Sequence, residues 1–331
     1  MSGRPSARSL LLLGAKVAFS VLLFAFLLRR LPVGHLGATL RGADRGGLVA
    51  AFLLLLASNV LGAFQWDRLL RAVDIRLPFW KVCAYYHVGL FFNNFLPANV
   101  GGDFARILDA SRGGSSRATA LSTVLLDRMI GTVALGGLAV VTTLPAIRHF
   151  HLAAAYAGVV AFLAAGAVML WAVFHPALLA TVERVLRRVG LGRLTPALDE
   201  LAARIAHFRG QRGLMLRLLA VATAVQVMRI GVHVLVARAL GLHVGLAYFF
   251  LFVPLLAVIV SLPISLNGIG VREGAGILLF GLVGLDRGSA FSLQFTTYLV
   301  AVAVSLIGGL VFLARIPHRR ATARTPGRPP A

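Results

Sequence analysis

The sequence predicts an all-α fold: a polytopic integral membrane helical bundle of about 8 spans, with re-entrant or broken helices at Pro97 and Pro263. Three observations carry that class. The 331 residues are 59% hydrophobic, with a mean hydropathy of +0.87, which is a membrane composition and not a soluble one. Apolar runs long enough to cross a bilayer recur between Ser9 and Ala314. Two broken, polar elements interrupt that pattern and match each other. Asn93 to Arg106 reads Asn-Asn-Phe-Leu-Pro-Ala-Asn-Val-Gly-Gly-Asp-Phe-Ala-Arg, and Leu262 to Glu273 reads Leu-Pro-Ile-Ser-Leu-Asn-Gly-Ile-Gly-Val-Arg-Glu. They align without gaps as Leu-Pro, four residues, Gly, three residues, Arg, pairing Gly102 with Gly268 and Arg106 with Arg272.

A spanning helix needs about 20 mostly apolar residues. Ser9–Leu28 and Gly47–Trp66 qualify as the first two spans, and a charged stretch from Asp67 to Lys81 follows. Val82–Val100 is shorter and broken by Pro97, so it reads as a re-entrant segment or a span that unwinds near its end. After the basic Phe104–Arg117 come Ala118–Leu144, carrying Asp127 and Arg128, and Leu152–Phe174. Residues 175–213 read as two amphipathic surface helices, with Leu198, Leu201, Ile205 and Phe208 at helical spacing. Leu214–Leu240 is a span with Gln226, Arg229 and His233 on one face. Leu246–Leu262 leads into the second broken element, Val271–Leu285 is barely long enough to cross, and Gly288–Ala314 is the last span. The domain organisation expected is one polytopic domain over 1–314, with halves at 1–174 and 214–314, and a basic disordered tail over 315–331.

The chain has 33 Lys+Arg against 11 Asp+Glu, a formal net charge of +22. Its arginines lie between apolar runs, which fits orientation and anionic headgroups and leaves no soluble basic domain for nucleic acid. Positive charge places residues 175–213 and the tail in the cytoplasm, and favours a cytoplasmic N-terminus. That arrangement requires the Asn93 element not to cross and the Val271 run to cross. The long apolar run behind the basic N-terminus reads as an uncleaved span of a bacterial plasma (inner) membrane protein. A lone Cys83 supplies no disulfide and no thiolate metal site.

Backbone broken at membrane depth survives only inside protein or beside a wet cavity, and paired broken segments in two halves point to a transport site. Helices restarting at Gly102 and Gly268 are expected to offer backbone N–H groups to phosphate, with Arg106 and Arg272 adding bidentate contacts. Gly101 and Gly270 loosen the backbone there. Asp103 lies on the face of Arg106, either to hold it or to meet an ammonium headgroup. Glu273 diverges from Arg272 and has its own partner. Asn94 belongs to the same amide cluster, and Asn99 and Asn267 either satisfy freed backbone groups or form turns. Asp127 and Arg128 lie near mid-membrane, as a substrate path or a helix-locking ion pair. The Gln226, Arg229, His233 face reads as interhelical hydrogen bonding in preference to a substrate path, and His87 as interfacial.

No His, Glu or Cys spacing matches a zinc site, and no cofactor or nucleotide motif is present. Acidic residues at depth are few, and Asp103, Asp127 and Glu273 are the general-acid candidates. The residues point to translocation in preference to covalent chemistry. Phe92-Asn93-Asn94-Phe95-Leu96-Pro97 with Gly101-Gly102-Asp103 and Arg106, then Asp127-Arg128, then Leu262-Pro263-Ile264-Ser265 with Gly268, Gly270, Arg272 and Glu273-Gly274, together resemble the lysylphosphatidylglycerol synthase transmembrane family. The resemblance covers about residues 10–314. It implies a flippase-like helical bundle with re-entrant pieces that moves a phospholipid or lipid-linked headgroup between leaflets. Two-domain members carry a soluble aminoacyl transferase after this domain. This sequence ends at Ala331, so lysyl transfer is not expected of it.

The expected function is therefore a phospholipid or lipid-linked headgroup flippase. Its partners would be anionic or lipid-linked membrane lipids and envelope-biosynthesis proteins. Two alternatives stand beside it: a membrane-embedded transferase using Asp103 or Glu273 on a lipid-linked substrate, and a non-catalytic scaffold for envelope lipid synthesis docking through the surface helices.

Overall fold

A computed structural model describes residues 41–95, 101–112, 114–143, 207–261, 268 and 270–322, with five scattered positions between 160 and 203. Among them the chain is all-helical. The helices are α1 Arg45–Ala72, α2 Phe79–Phe95, α3 Gly101–Ser111, α4 Arg117–Thr143, α5 Arg212–Ala239, α6 Leu246–Ser261, α7 Val271–Gly281 and α8 Arg287–Thr322. A short 3-10 turn, His207–Gly210, precedes α5. Helices α1, α4, α5 and α8 are long and apolar enough to cross a membrane. The chain is a multi-pass integral membrane protein.

Helices α1–α4 and α5–α8 form two repeats of one plan. α1 and α5 are each 28 residues long and make the most extensive contact among the described helices. They run antiparallel: the start of α1 donates from Asp44 N–H to the Ala239 carbonyl (2.8 Å), while Gly231 of α5 packs on Leu54. Both helices finish alike. Asp74 N–H donates to the Arg71 carbonyl with Asp74 at φ 60°, and Gly241 N–H donates to the Arg238 carbonyl with Gly241 at φ 70°. The remaining contacts come in matched pairs: α2 on α8 as α6 on α4, α3 on α4 as α7 on α8, and α1 on α2 as α5 on α6.

Each repeat contains a helical hairpin. In the first, the start of α3 meets the end of α2: Gly102 N–H donates to Asn93 Oδ1 (2.9 Å), and Gly102 lies against the Gly89 carbonyl. Further along α3, Arg106 reaches back to Tyr86. In the second, Gly268 lies against Val260, while Phe280 packs on Phe252 (5.3 Å) and Phe249 (5.5 Å). Both hairpins are thus antiparallel. They leave from the ends of two antiparallel helices, so they enter the bundle from opposite ends. Lipid supplies little hydrophobic drive between helices, so close approach matters. Gly102 on Gly89 and Gly308 on the His87 carbonyl provide it.

Several boundaries differ from expectation. The Val271–Leu285 run does not cross: α7 has 11 residues, roughly 16 Å at ~1.5 Å per residue, and it doubles back along α6. The helix of the second span does not stop at Trp66 but runs into the charged stretch as far as Ala72, with Asp67 and Arg71 paired at 2.7 Å. The basic Phe104–Arg117 segment is mostly helical, as α3. α8 continues past Ala314 to Thr322, into the stretch expected to be a disordered tail. His87 is buried at 5% exposure, with Nδ1 on the Cys83 carbonyl (2.8 Å), so its ring is enclosed by protein. The spans expected at Ser9–Leu28 and Leu152–Phe174, and nearly all of 175–206, lie outside the described residues.

Candidate substrate-binding cavity

Arg106 on α3 is built into a closed box. It is 5% exposed, and its Nη2 donates to Asp127 Oδ2 at 2.7 Å. The other carboxylate oxygen, Oδ1, accepts from Gln65 Nε2 at 2.8 Å. The guanidinium lies over the Trp66 ring (4.2 Å) and the Tyr86 ring (4.8 Å). Trp66 Nε1 donates to Thr123 Oγ1, which holds its ring against α4. Four helices thus converge on one cation. Two aromatic faces and a fully hydrogen-bonded carboxylate offset its desolvation. Arg106 Nε keeps no hydrogen-bond partner among the described residues.

Asp103, one turn earlier, sits 3.8 Å from Arg106 Nη1 but takes a two-point contact from Arg128 instead, Nε at 2.9 Å and Nη2 at 3.0 Å. Arg128 is 47% exposed, whereas its neighbour in sequence, Asp127, is buried. Adjacent helical positions diverge, so the pair serves two different contacts.

The helix starts are occupied by protein. Gly102 N–H is taken by Asn93 and Gly270 N–H by Glu273 Oε2 (2.6 Å). The Gly268 carbonyl accepts from Arg272 N–H (2.8 Å). Gly268 (φ 74°) and Gly270 (φ 81°) are left-handed, a conformation that a Cβ disfavours. Glu273, 1% exposed, therefore caps its own helix.

Three adjoining cavities lie between the repeats. One of about 260 Å³ is bordered by Arg106, Asp127, Arg128, Gln226 and Arg229. A second of about 320 Å³ is bordered by Asn94, Arg229, His233, Arg272 and Tyr298. A third of about 390 Å³ is bordered by Arg128, Gln226, Arg229, His233, Arg272 and Gln294. Arg229 borders all three. Arg272 lies over the Tyr298 ring at 4.8 Å. Arginines from both halves therefore border the same group of adjoining cavities.

Of the residues singled out from sequence, Asn94, Arg106, Asp127, Arg128 and Arg272 border these cavities. Gly101, Gly102, Asp103, Gly268, Gly270 and Glu273 shape the hairpins around them. Pro97, Asn99, Pro263 and Asn267 lie outside the described residues. The face of Gln226, Arg229 and His233, read from sequence as interhelical bonding, does bond between helices, Gln226 Nε2 donating to the Gly131 carbonyl of α4 (3.4 Å), and it also borders the cavities. Its signal was present in the i, i+3, i+7 spacing and in an arginine deep within a span, which normally faces a cavity or a partner. Among the described residues no three His, Cys, Asp or Glu side chains gather as a metal site.

A family model described as the lysylphosphatidylglycerol synthase TM region matches residues 13–309. The chain is also 23% identical over 294 residues to a UPF0104 membrane protein of Pyrococcus horikoshii, covering 82% of this chain and 88% of that one.

Proposed function

The chain belongs to the lysylphosphatidylglycerol synthase transmembrane-region family, and on that premise we propose that it moves a phospholipid or lipid-linked headgroup between leaflets of the plasma membrane. The observation that carries this reading is the run of arginine-bordered cavities between two hairpins entering from opposite ends of the bundle. Paired, interrupted segments around a central site suit alternating access, one repeat rocking against the other. The headgroup would occupy the polar region while its acyl chains stay in lipid. Arg128 and Arg272 would contact it, with Asn94 at the margin, while Arg106 and Asp127 hold the wall.

The acidic residues also favour transport over group transfer. A transferase needs a carboxylate poised for proton transfer. Here Asp103 holds Arg128, Asp127 holds Arg106 and Gln65, and Glu273 caps α7. The test is movement of fluorescent phospholipid across reconstituted vesicles. Wild type should accelerate it, and Arg272→Ala should slow it by at least ~10-fold. Wild-type vesicles no faster than protein-free ones would sink the reading.

A further inference from the structure

Among the described residues, Arg229 is a deep cation with no carboxylate beside it. It lies well inside the spanning helix α5 and borders all three cavities. A guanidinium at such depth is costly without a counter-charge. Eight carboxylates fall within the described residues, and each is committed elsewhere. Asp44 caps α1, Asp67 holds Arg71, Asp74 pairs with Arg76 and Asp109 with Arg112. Asp286 accepts from Ser289 N–H. Asp103, Asp127 and Glu273 have the partners already described. Among the described residues no carboxylate pairs with Arg229.

A second, independent feature marks the same place. Gln294 on α8 borders the largest of the three cavities and is fully buried, yet neither its amide oxygen nor its amide nitrogen has a hydrogen-bond partner among the described residues. A buried amide left unsatisfied on both atoms costs on the order of 1–3 kcal/mol per group. Arg128 and Arg272 border that cavity from α4 and α7.

We propose that this cavity is a diphosphate-binding site, with Arg229 as its principal anion ligand. The donors decide the class. A phosphodiester has one negative charge, which a single guanidinium neutralises. Three guanidiniums on three different helices, with an amide beside them, border the cavity; Arg128 shares its charge with Asp103, and Arg229 and Arg272 add two more, which exceeds one phosphodiester charge. A diphosphate diester carries two negative charges and four free oxygens, so it can engage several forks at once. The lipid source of the diphosphate rests on the translocation reading, but the binding site does not.

The test uses the full chain in phosphatidylcholine nanodiscs, titrated calorimetrically with inorganic pyrophosphate and with orthophosphate. Pyrophosphate should bind at least ~10-fold more tightly, and Arg229→Gln should weaken it by at least ~10-fold. Arg229→Lys, which keeps the charge and loses the fork, should fall between. Arg217→Gln, an exposed change on the same helix, should match wild type. If Arg229→Gln does not fold, Gln294→Leu carries the test, because it removes an unsatisfied group and should still weaken pyrophosphate several-fold, ~5-fold or more. Equal affinity for the two anions, or wild-type affinity in the variants, overturns the site. Polyprenyl diphosphate in the nanodisc should then compete with pyrophosphate. Pyrophosphate binding without that competition overturns the lipid source alone, and the vesicle assay judges translocation separately.

Discussion

The α2/α3 and α6/α7 hairpins carry the same motif and put it to different uses. In sequence Arg106 and Arg272 are equivalent, ten residues past Leu96 and Leu262. In the fold they are not. Residues 96–100 join α2 to α3, whereas residues 262–270 join α6 to α7, so the second helix starts later relative to its motif. Arg106 is the sixth residue of α3 and Arg272 the second of α7. Four residues is about one helical turn, roughly 6 Å along the axis. That displacement carries Arg106 between Trp66 and Tyr86, onto Asp127, while Arg272 stays near its helix start, over Tyr298 and beside two of the cavities. One hairpin spends its arginine on closing the wall, and the other presents it to the hollow.

The largest test of that contrast compares Arg106→Ala with Arg272→Ala. Removing Arg106 leaves Asp127 buried without its cation and strips two aromatic faces, so a loss of about 3–5 kcal/mol is expected. Removing Arg272 leaves Glu273 its hydrogen bond from the Gly270 N–H and strips one aromatic face, so the expected loss is smaller, about 1–2 kcal/mol. Unfolding of both purified variants in one detergent measures the difference. The order should reverse for lipid movement among molecules that remain folded, with Arg272→Ala the more damaging per folded protein. Equal destabilisation would mean that the two arginines share one role.

Reading that contrast from the sequence reaches only part way. The spans α1, α4, α5 and α8 follow from long apolar runs, and the paired breaks follow from Leu-Pro-x4-Gly-x3-Arg, because both signals are local. The one-turn offset is not local. It depends on where each helix restarts after its break, which a gapless alignment cannot show. Nor does spacing reveal the aromatic box, since Trp66 and Tyr86 reach Arg106 only when α1, α2 and α3 pack together. Arg229 was visible as a buried charge. Its place at the centre depends on where the eight described carboxylates go, and the sequence does not show that. The expectation of an open N–H at Gly102 missed its cap, because Asn93 was not read as an acceptor, and the Glu273 cap on Gly270 was not foreseen either.

A smaller effect comes from adding one methyl group to each hairpin. Gly102→Ala drives a Cβ into the Gly89 carbonyl, a backbone atom that cannot swing aside. Overpacking of that kind costs about 1–3 kcal/mol and should splay α3 from α2. At Gly274, the fourth residue of α7, a Cβ meets nothing within 4 Å. Gly274→Ala should be neutral or stabilise by up to ~1 kcal/mol through helix propensity. Thermal midpoints in a common lipid–detergent mixture distinguish the two. A neutral Gly102→Ala would show that the first hairpin is as loosely packed as the second is at that position.

The smallest change is expected at Arg128, and it separates the wall from the hollow within one repeat. Its guanidinium grips Asp103 at two points, a geometry that would look strongly stabilising if buried. At 47% exposure the pair opens onto the cavities and is only partly desolvated, and pairs of that kind contribute about 1 kcal/mol or less. Asp103 also keeps Arg106 Nη1 at 3.8 Å, so Arg128→Ala does not strand it. Stability should therefore fall by less than ~1 kcal/mol, while vesicle lipid movement falls by several-fold, ~5-fold or so, because a donor bordering two cavities is gone. A cost near that of Arg106→Ala would instead assign Arg128 to the wall. The arginine-facing hollow would then belong to α5 and α7 alone.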